Sequence, residues 1–136
     1  MAYTLYYILK LNYNTMSKKI LIVDDNEYMI EIMAFILISK GYEVIALPNG
    51  ENVLNSIFFN HPDLVILDAR MPGMDGREIC KLLKLNRSTR KLPVIMCSAE
   101  DDIDESLRQK GAPDDVLHKP FDTEELLEKV EMQLAA

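Results

Sequence analysis

Cysteine is scarce in this chain, with only Cys80 and Cys97 among 136 residues. Two thiols fit neither a disulfide framework nor a zinc site, so a reduced, cytoplasmic setting is the expectation. Basic residues are outnumbered, 15 Lys and Arg against 22 Asp and Glu, leaving a formal charge of −7. That balance argues against a nucleic-acid partner, because phosphate backbones select Lys/Arg surfaces. Long apolar runs are also missing. The longest, Ile32 to Ile38, falls far short of the ~20 residues that span a bilayer, so no membrane role is expected. What is present is ordinary: 49% apolar and 27% charged residues, in a length that suits one domain with a real core.

Residues 1–15 (MAYTLYYILKLNYNT) stand apart, holding four of the six tyrosines, Tyr3, Tyr6, Tyr7 and Tyr13. A secretory signal would need a basic start, a longer apolar block and a small-residue cleavage site. None is there. Apolar residues alternate at Tyr3, Leu5, Tyr7, Leu9 and Leu11, a period suited to an accessory strand. The domain proper is expected to run from Met16 to Ala136, with 1–15 as an extension that carries no chemistry.

From Ile20 onward, short apolar runs predict strands at Ile20–Val23, Glu43–Ala46, Leu64–Leu67, Val94–Cys97 and Val116–Leu117. Three are nearly continuous, as befits strands buried on both faces of a parallel sheet. The segments Glu27–Lys40, Gly50–Asn60, Gly76–Leu85 and Asp101–Lys110 predict helices, and a last helix follows Asp122, whose carboxylate can cap it with Glu125 as reciprocal partner. Strict alternation with right-handed crossovers gives an α/β, doubly wound five-stranded parallel sheet. Ligands of such sheets gather at the carboxyl ends of the strands.

Those ends carry chemistry. Asp24 and Asp25 follow the first strand, Asp68 the third and Ser98 the fourth, while the fifth leads into Lys119 and Pro120. In strand order 2-1-3-4-5 these side chains converge. Three carboxylates close together raise one another's pKa. A hard divalent cation relieves the repulsion, and Mg²⁺ accepts one or two carboxylates plus waters and a phosphate oxygen. Any one of these residues alone is better explained as a cap, a turn residue or a solvated charge. The combination in order is not.

The segments ILIVDDNEYM (20–29), DLVILDARMPGMDGREIC (63–80), PVIMCSAE (93–100) and DDVLHKPF (114–121) together resemble the response regulator receiver domain of two-component signalling, a flavodoxin-like fold. The resemblance implies that Asp68 accepts a phosphoryl group and that Asp24, Asp25, Asp68 and the backbone carbonyl of Arg70 serve Mg²⁺, Asp24 through water. It further implies that Ser98 hydrogen-bonds the phosphoryl group, that Lys119 neutralises it, and that Pro120 follows a cis peptide. The implied donor is a sensor histidine kinase or phosphotransfer protein. The implied output is docking to a downstream protein or onward relay, without DNA binding or enzymatic turnover, since no second domain follows Ala136.

Three departures from the family pattern stand out. Val116 occupies the position, three before Lys119, where the family usually has Tyr or Phe, so the usual aromatic swing is absent and any signal is expected to leave through the fourth-strand loop. Pro113 is an added residue in the Gly111–Asp115 turn. Arg70 and Glu100 flank the expected pocket, either paired across its mouth and slowing dephosphorylation or solvated independently, since exposed pairs are worth only ~0–1 kcal/mol. The apolar Met29–Ile38 stretch exceeds what one sheet face covers and leaves room for a partner or a homodimer. His61, His118 and Cys97 read as two surface residues and a core residue.

Two other readings of the same residues fit less well. A Mg²⁺-dependent phosphohydrolase with Asp68 as nucleophile would want a second acid two residues on, where this chain has Arg70. A flavin module would need a phosphate loop after the first strand, and Asp24-Asp25 would repel that phosphate.

Overall fold

The computed structural model describes residues 17–135; the extension expected over 1–15 lies outside them. β1 (Lys19–Val23), β2 (Glu43–Leu47), β3 (Leu64–Asp68), β6 (Val94–Ser98) and β7 (Asp115–His118) form one parallel sheet in the order β2-β1-β3-β6-β7. This is the expected doubly wound order. A two-stranded antiparallel ribbon, β4 (Arg70–Met71) and β5 (Met74–Asp75), follows β3 and was not expected. Gly73 turns it at φ +72°.

Period-two alternation in the strands splits the core in two. Leu21, Val23, Val65, Leu67, Val94 and Met96 face α2 (Val53–Asn60) and α3 (Gly76–Leu85). Ile20, Ile22, Leu64, Ile66 and Ile95 face α1 (Glu27–Ser39) and α4 (Thr123–Ala135), which contribute Met33, Leu37, Leu126 and Val130. Complete burial of such side chains contributes about 1.5–3 kcal/mol each, which explains why β3 and β6 are apolar up to the last residue.

Local chemistry sets the helix ends. The Asn26 side chain accepts from the N–H groups of Tyr28 and Met29 and starts α1, while Gly41, at φ +91°, ends it by donating to Ile38. Asp122 Oδ1 accepts from Glu125 N–H at 2.8 Å, the anticipated cap of α4. Helix α2 begins at Val53 rather than Gly50; Gly50 is packed against Met74, where an added Cβ would lie 2.1 Å from the sulfur. On the outer side of α1, Tyr28, Ile32, Phe35 and Ile38 are all more than half exposed, so the surplus apolar surface expected there is real. Among the described residues, no helix is long and apolar enough to cross a membrane.

One element departs from expectation. Asp101–Lys110 is not an α-helix; only Ile103–Arg108 is helical, and as a 3₁₀ helix. In 3₁₀ geometry residues i and i+3 eclipse, which places Ile103 and Ser106 inward, both buried. The Asp102 carboxylate, the natural N-cap, makes no cap hydrogen bond. It is held instead by Arg77, at 3.2 Å.

Candidate functional site

Neighbouring strands deliver the acidic residues side by side. Val23 and Leu67 are in register at the ends of β1 and β3, so Asp24 and Asp68 come next to each other. Asp24, Asp25 and Asp68 each offer a carboxylate oxygen, all within 4.8 Å of one another. Asp24 is 1% exposed, and its Oδ1 accepts from Asn26 N–H at 2.9 Å. Asp25 is exposed and Asp68 buried.

Lys119 enters from the far end of β7. Its N–H donates to the Ser98 carbonyl, and the Lys119–Pro120 peptide is cis, as the resemblance implied. Lys119 Nζ donates to Asp24 Oδ2 at 2.9 Å and lies 3.7 Å from Asp68 Oδ1. Burial pulls the ammonium toward a lower pKa, but the Asp24 hydrogen bond and the surrounding anionic groups override this and hold it above its ordinary value. For Asp68, burial pushes the carboxyl from its ordinary 3.8 to about 6, with Lys119 opposing the shift and Asp24 adding to it. The Arg70 N–H, 3.4 Å from Asp68 Oδ1, works with Lys119 against that shift.

Ser98 is at the adjoining strand end, one residue beyond Cys97, the partner of Asp68 in register. It is buried, and its Oγ accepts from Glu100 N–H at 3.0 Å. Four of the five expected side chains thus form one contact cluster, and Ser98 is held beside it by its own loop. Val116 is buried in the core with Met96. Pro113 is buried too, behind Gly111.

Arg70 and Glu100 do pair, Arg70 Nε to Glu100 Oε1. The other Glu100 oxygen takes Arg77 Nη2 at 3.0 Å, and Arg77 reaches Asp102 as well. Arg77 was not singled out from the sequence. One signal was available: a cation in the first turn of a helix opposes the helix dipole and calls for acidic partners elsewhere. His118 Nε2 lies 3.2 Å from Asp104 Oδ1, and His61 ends α2 at φ 51°. Burial pushes both the Cys80 and Cys97 thiols up to about 12, which makes them inert packing residues.

Gly76 permits this arrangement. A Cβ there would lie 1.9 Å from the Asp68 carbonyl oxygen, and Gly76 N–H donates to the Ala69 carbonyl at 2.9 Å, so α3 starts directly behind the end of β3. A concavity of about 590 Å³ beside β2 and α2, lined by residues that include Ile45, Leu47, Phe58 and Phe59, takes in none of the three carboxylates. A smaller one of about 290 Å³ is lined by Arg70, Met71, Met74 and Asp75, on the ribbon that follows Asp68.

Chemically, the cluster is a partly desolvated carboxylate beside a fixed ammonium and two further carboxylates. Hard oxygen donors grouped in this way suit a small divalent cation.

Comparison with known proteins agrees with this geometry. Residues 20–131 match the response regulator receiver domain family. A chain described as a response regulator from Chloroflexus aurantiacus J-10-fl is 36% identical, with a TM-score of 0.81 over 88% of this chain and 99% of that one. The signal receiver domain of a signal transduction histidine kinase from Syntrophus aciditrophicus is 32% identical, with a TM-score of 0.79 over 88% and 91%. The chemotaxis response regulator CheY4 of Vibrio cholerae is 28% identical, with a TM-score of 0.79 over 88% and 100%.

Proposed function

Since this chain belongs to the response regulator receiver domain family, we propose that it is a phosphorylation-controlled switch or relay whose acceptor is Asp68. A carboxylate oxygen of Asp68 attacks the phosphorus of a phosphohistidine on a sensor histidine kinase or phosphotransfer protein. The new O–P bond replaces the N–P bond, and the imidazole leaves and takes up a proton. Phosphoryl transfer asks the protein chiefly for positioning and charge neutralisation. Lys119, fixed by its hydrogen bond to Asp24, stands 3.7 Å from the Asp68 carboxylate and neutralises the incoming group. Ser98 donates its hydroxyl to a phosphoryl oxygen, which requires the loop after β6 to adjust.

The carboxylates of Asp24, Asp25 and Asp68 fit Mg²⁺ in number and hardness; with the Arg70 carbonyl they would hold it, Asp24 through water. When bound, the cation supplies charge that the phosphoryl group and three carboxylates otherwise lack. The observation that carries the reading is the gathering of these three carboxylates around one ammonium. We take residues 16–136 as the receiver unit and 1–15 as an extension outside its chemistry. Two unpaired, buried cysteines support a reducing cytoplasm. The exposed apolar face of α1 supports docking to a protein, either a downstream target or a second copy.

The test is labelling with a small-molecule acyl phosphate in the presence of Mg²⁺. One phosphoryl group per chain on the parent, and none on Asp68→Asn, is the expected result. Labelling retained in that variant moves the acceptor elsewhere, and continuous turnover of a generic phosphate ester by the parent points to a hydrolase.

A further inference from the structure

Arg77 belongs to neither the acidic cluster nor the core, yet it joins three segments around the mouth of the site. Its Nη2 contacts Glu100 Oε2 at 3.0 Å and Asp102 Oδ1 at 3.2 Å. Through Glu100 it reaches Arg70, which holds the other carboxylate oxygen. Arg77 is the fixed member of this network. Its side chain is 25% exposed against 68% for Arg70. Its own N–H donates to Asp75 Oδ1 at 2.9 Å, and it follows Gly76, which is seated on the Asp68 carbonyl. Among the described residues its Nε is buried without a hydrogen-bond partner.

What Arg77 grips also controls Ser98. Glu100 N–H donates to Ser98 Oγ at 3.0 Å, so the residue clamped by its carboxylate engages the serine hydroxyl with its backbone. Two residues on, Asp102 opens the 3₁₀ helix without capping it. We propose that Arg77 is a positioning residue. By clamping Glu100 and Asp102 it holds the 98–102 loop with Ser98 Oγ engaged by Glu100 N–H, and so sets the conformational cost of bringing Ser98 to a phosphoryl group on Asp68. The coupling runs from Ser98 through Glu100 and Asp102 to α3, a path that does not pass through β7, where Val116 is a buried aliphatic residue. This inference rests on Asp68 as acceptor.

The test has two arms. The first needs no phosphoryl group: amide hydrogen exchange of 103–108 in the resting protein. Arg77→Gln is expected to speed exchange there about tenfold while amides of α1 and α4 keep their rates. Unchanged exchange overturns the proposal, as does a uniform rise across the chain, which marks general destabilisation. Asp102→Ala, which removes one arm of the clamp at an exposed position, is expected to give the same local pattern with smaller amplitude; its absence counts against the proposal even if Arg77→Gln does not fold. The second arm titrates beryllium trifluoride, an inert phosphoryl mimic, in saturating Mg²⁺. Arg77→Gln is expected to tighten its binding about fivefold with Mg²⁺ affinity unchanged, and Arg77→Lys to restore part of the difference. Equal or weaker mimic binding overturns the proposal. Failure of the parent to bind the mimic, with the exchange result intact, strikes at Asp68 as acceptor and leaves the clamp standing.

Discussion

Gly76 sits so close behind Asp68 that a single methyl group would overlap the Asp68 carbonyl oxygen, at 1.9 Å. The obstacle is backbone, which cannot turn aside as a flexible side chain could. Gly76→Ala must therefore push α3 away from the end of β3. Overpacking of this kind costs about 1–3 kcal/mol or more, and the shift falls on the acceptor's own backbone. The expected outcome in urea denaturation is a loss in that range, with a marked fall in Asp68 labelling. Gly73→Ala is the contrast. No atom lies within 4 Å of a Cβ there, and only the positive φ of +72° opposes it, so a cost of about 1–2 kcal/mol is expected.

Asp68 carries the pH dependence. Burial, the largest influence, moves its pKa from 3.8 to about 6 in the folded chain. The folded state therefore favours the protonated carboxyl. Its contribution to stability is fully present below 3.8 and lost as pH rises through about 6. In metal-free protein at neutral pH the ionised Asp68 is a liability, and Asp68→Asn is expected to be more stable by on the order of 2 kcal/mol. The gain should vanish near pH 4. Urea denaturation with a chelator across that range measures it, and equal stabilities at pH 7 contradict the assigned shift. Because a cation must displace the proton, Mg²⁺ binding is expected to weaken as pH falls below about 6.

Lys119 holds the charges together. Removing one partner of a buried ion pair strands the other, at a cost of about 3–5 kcal/mol, and Asp24 is completely buried. Lys119→Met is expected to lose stability of that order without Mg²⁺ and to regain part of it when the cation is added. It should also move the Asp68 titration above about 6, since Lys119 is the main influence holding it down. Carboxylate chemical shifts followed against pH would read this directly. A titration unmoved by the substitution would mean that the 3.7 Å separation carries no coupling.

The parts legible in the sequence are those fixed by position along a strand. A parallel sheet puts the carboxyl ends of its strands on one edge, so the apolar runs place Asp24, Asp68, Ser98 and Lys119 on that edge; that they are neighbours follows only once the strand order is 2-1-3-4-5, the order observed. The 3₁₀ helix was not legible for the converse reason. Acids at its start suit the first turn of an α-helix, but Asp102 is bound by Arg77, 25 positions earlier. Likewise, Gly50 read as a helix start, whereas it packs against Met74, 24 positions later, and the helix starts at Val53. Both are contacts between segments distant in the chain, and local periodicity carries no record of them.

Arg70 and Glu100 set a last expectation, for the lifetime of the phosphorylated state. Arg70 and Glu100 are paired, each two residues beyond a strand-end site residue, Asp68 and Ser98, and if Asp68 is the acceptor the pair would screen the acyl phosphate from water. Arg70 is two-thirds exposed and Glu100 one-third, so solvent screens the pair, and its own strength is ~0–1 kcal/mol. A barrier resting on such a contact changes a rate by no more than about fivefold, because 1.4 kcal/mol corresponds to a factor of ten. Arg70→Ala is therefore expected to shorten the acyl-phosphate half-life two- to fivefold, with labelling still on Asp68. An unchanged half-life in Arg70→Ala would leave the pair with no part in shielding the phosphoryl group.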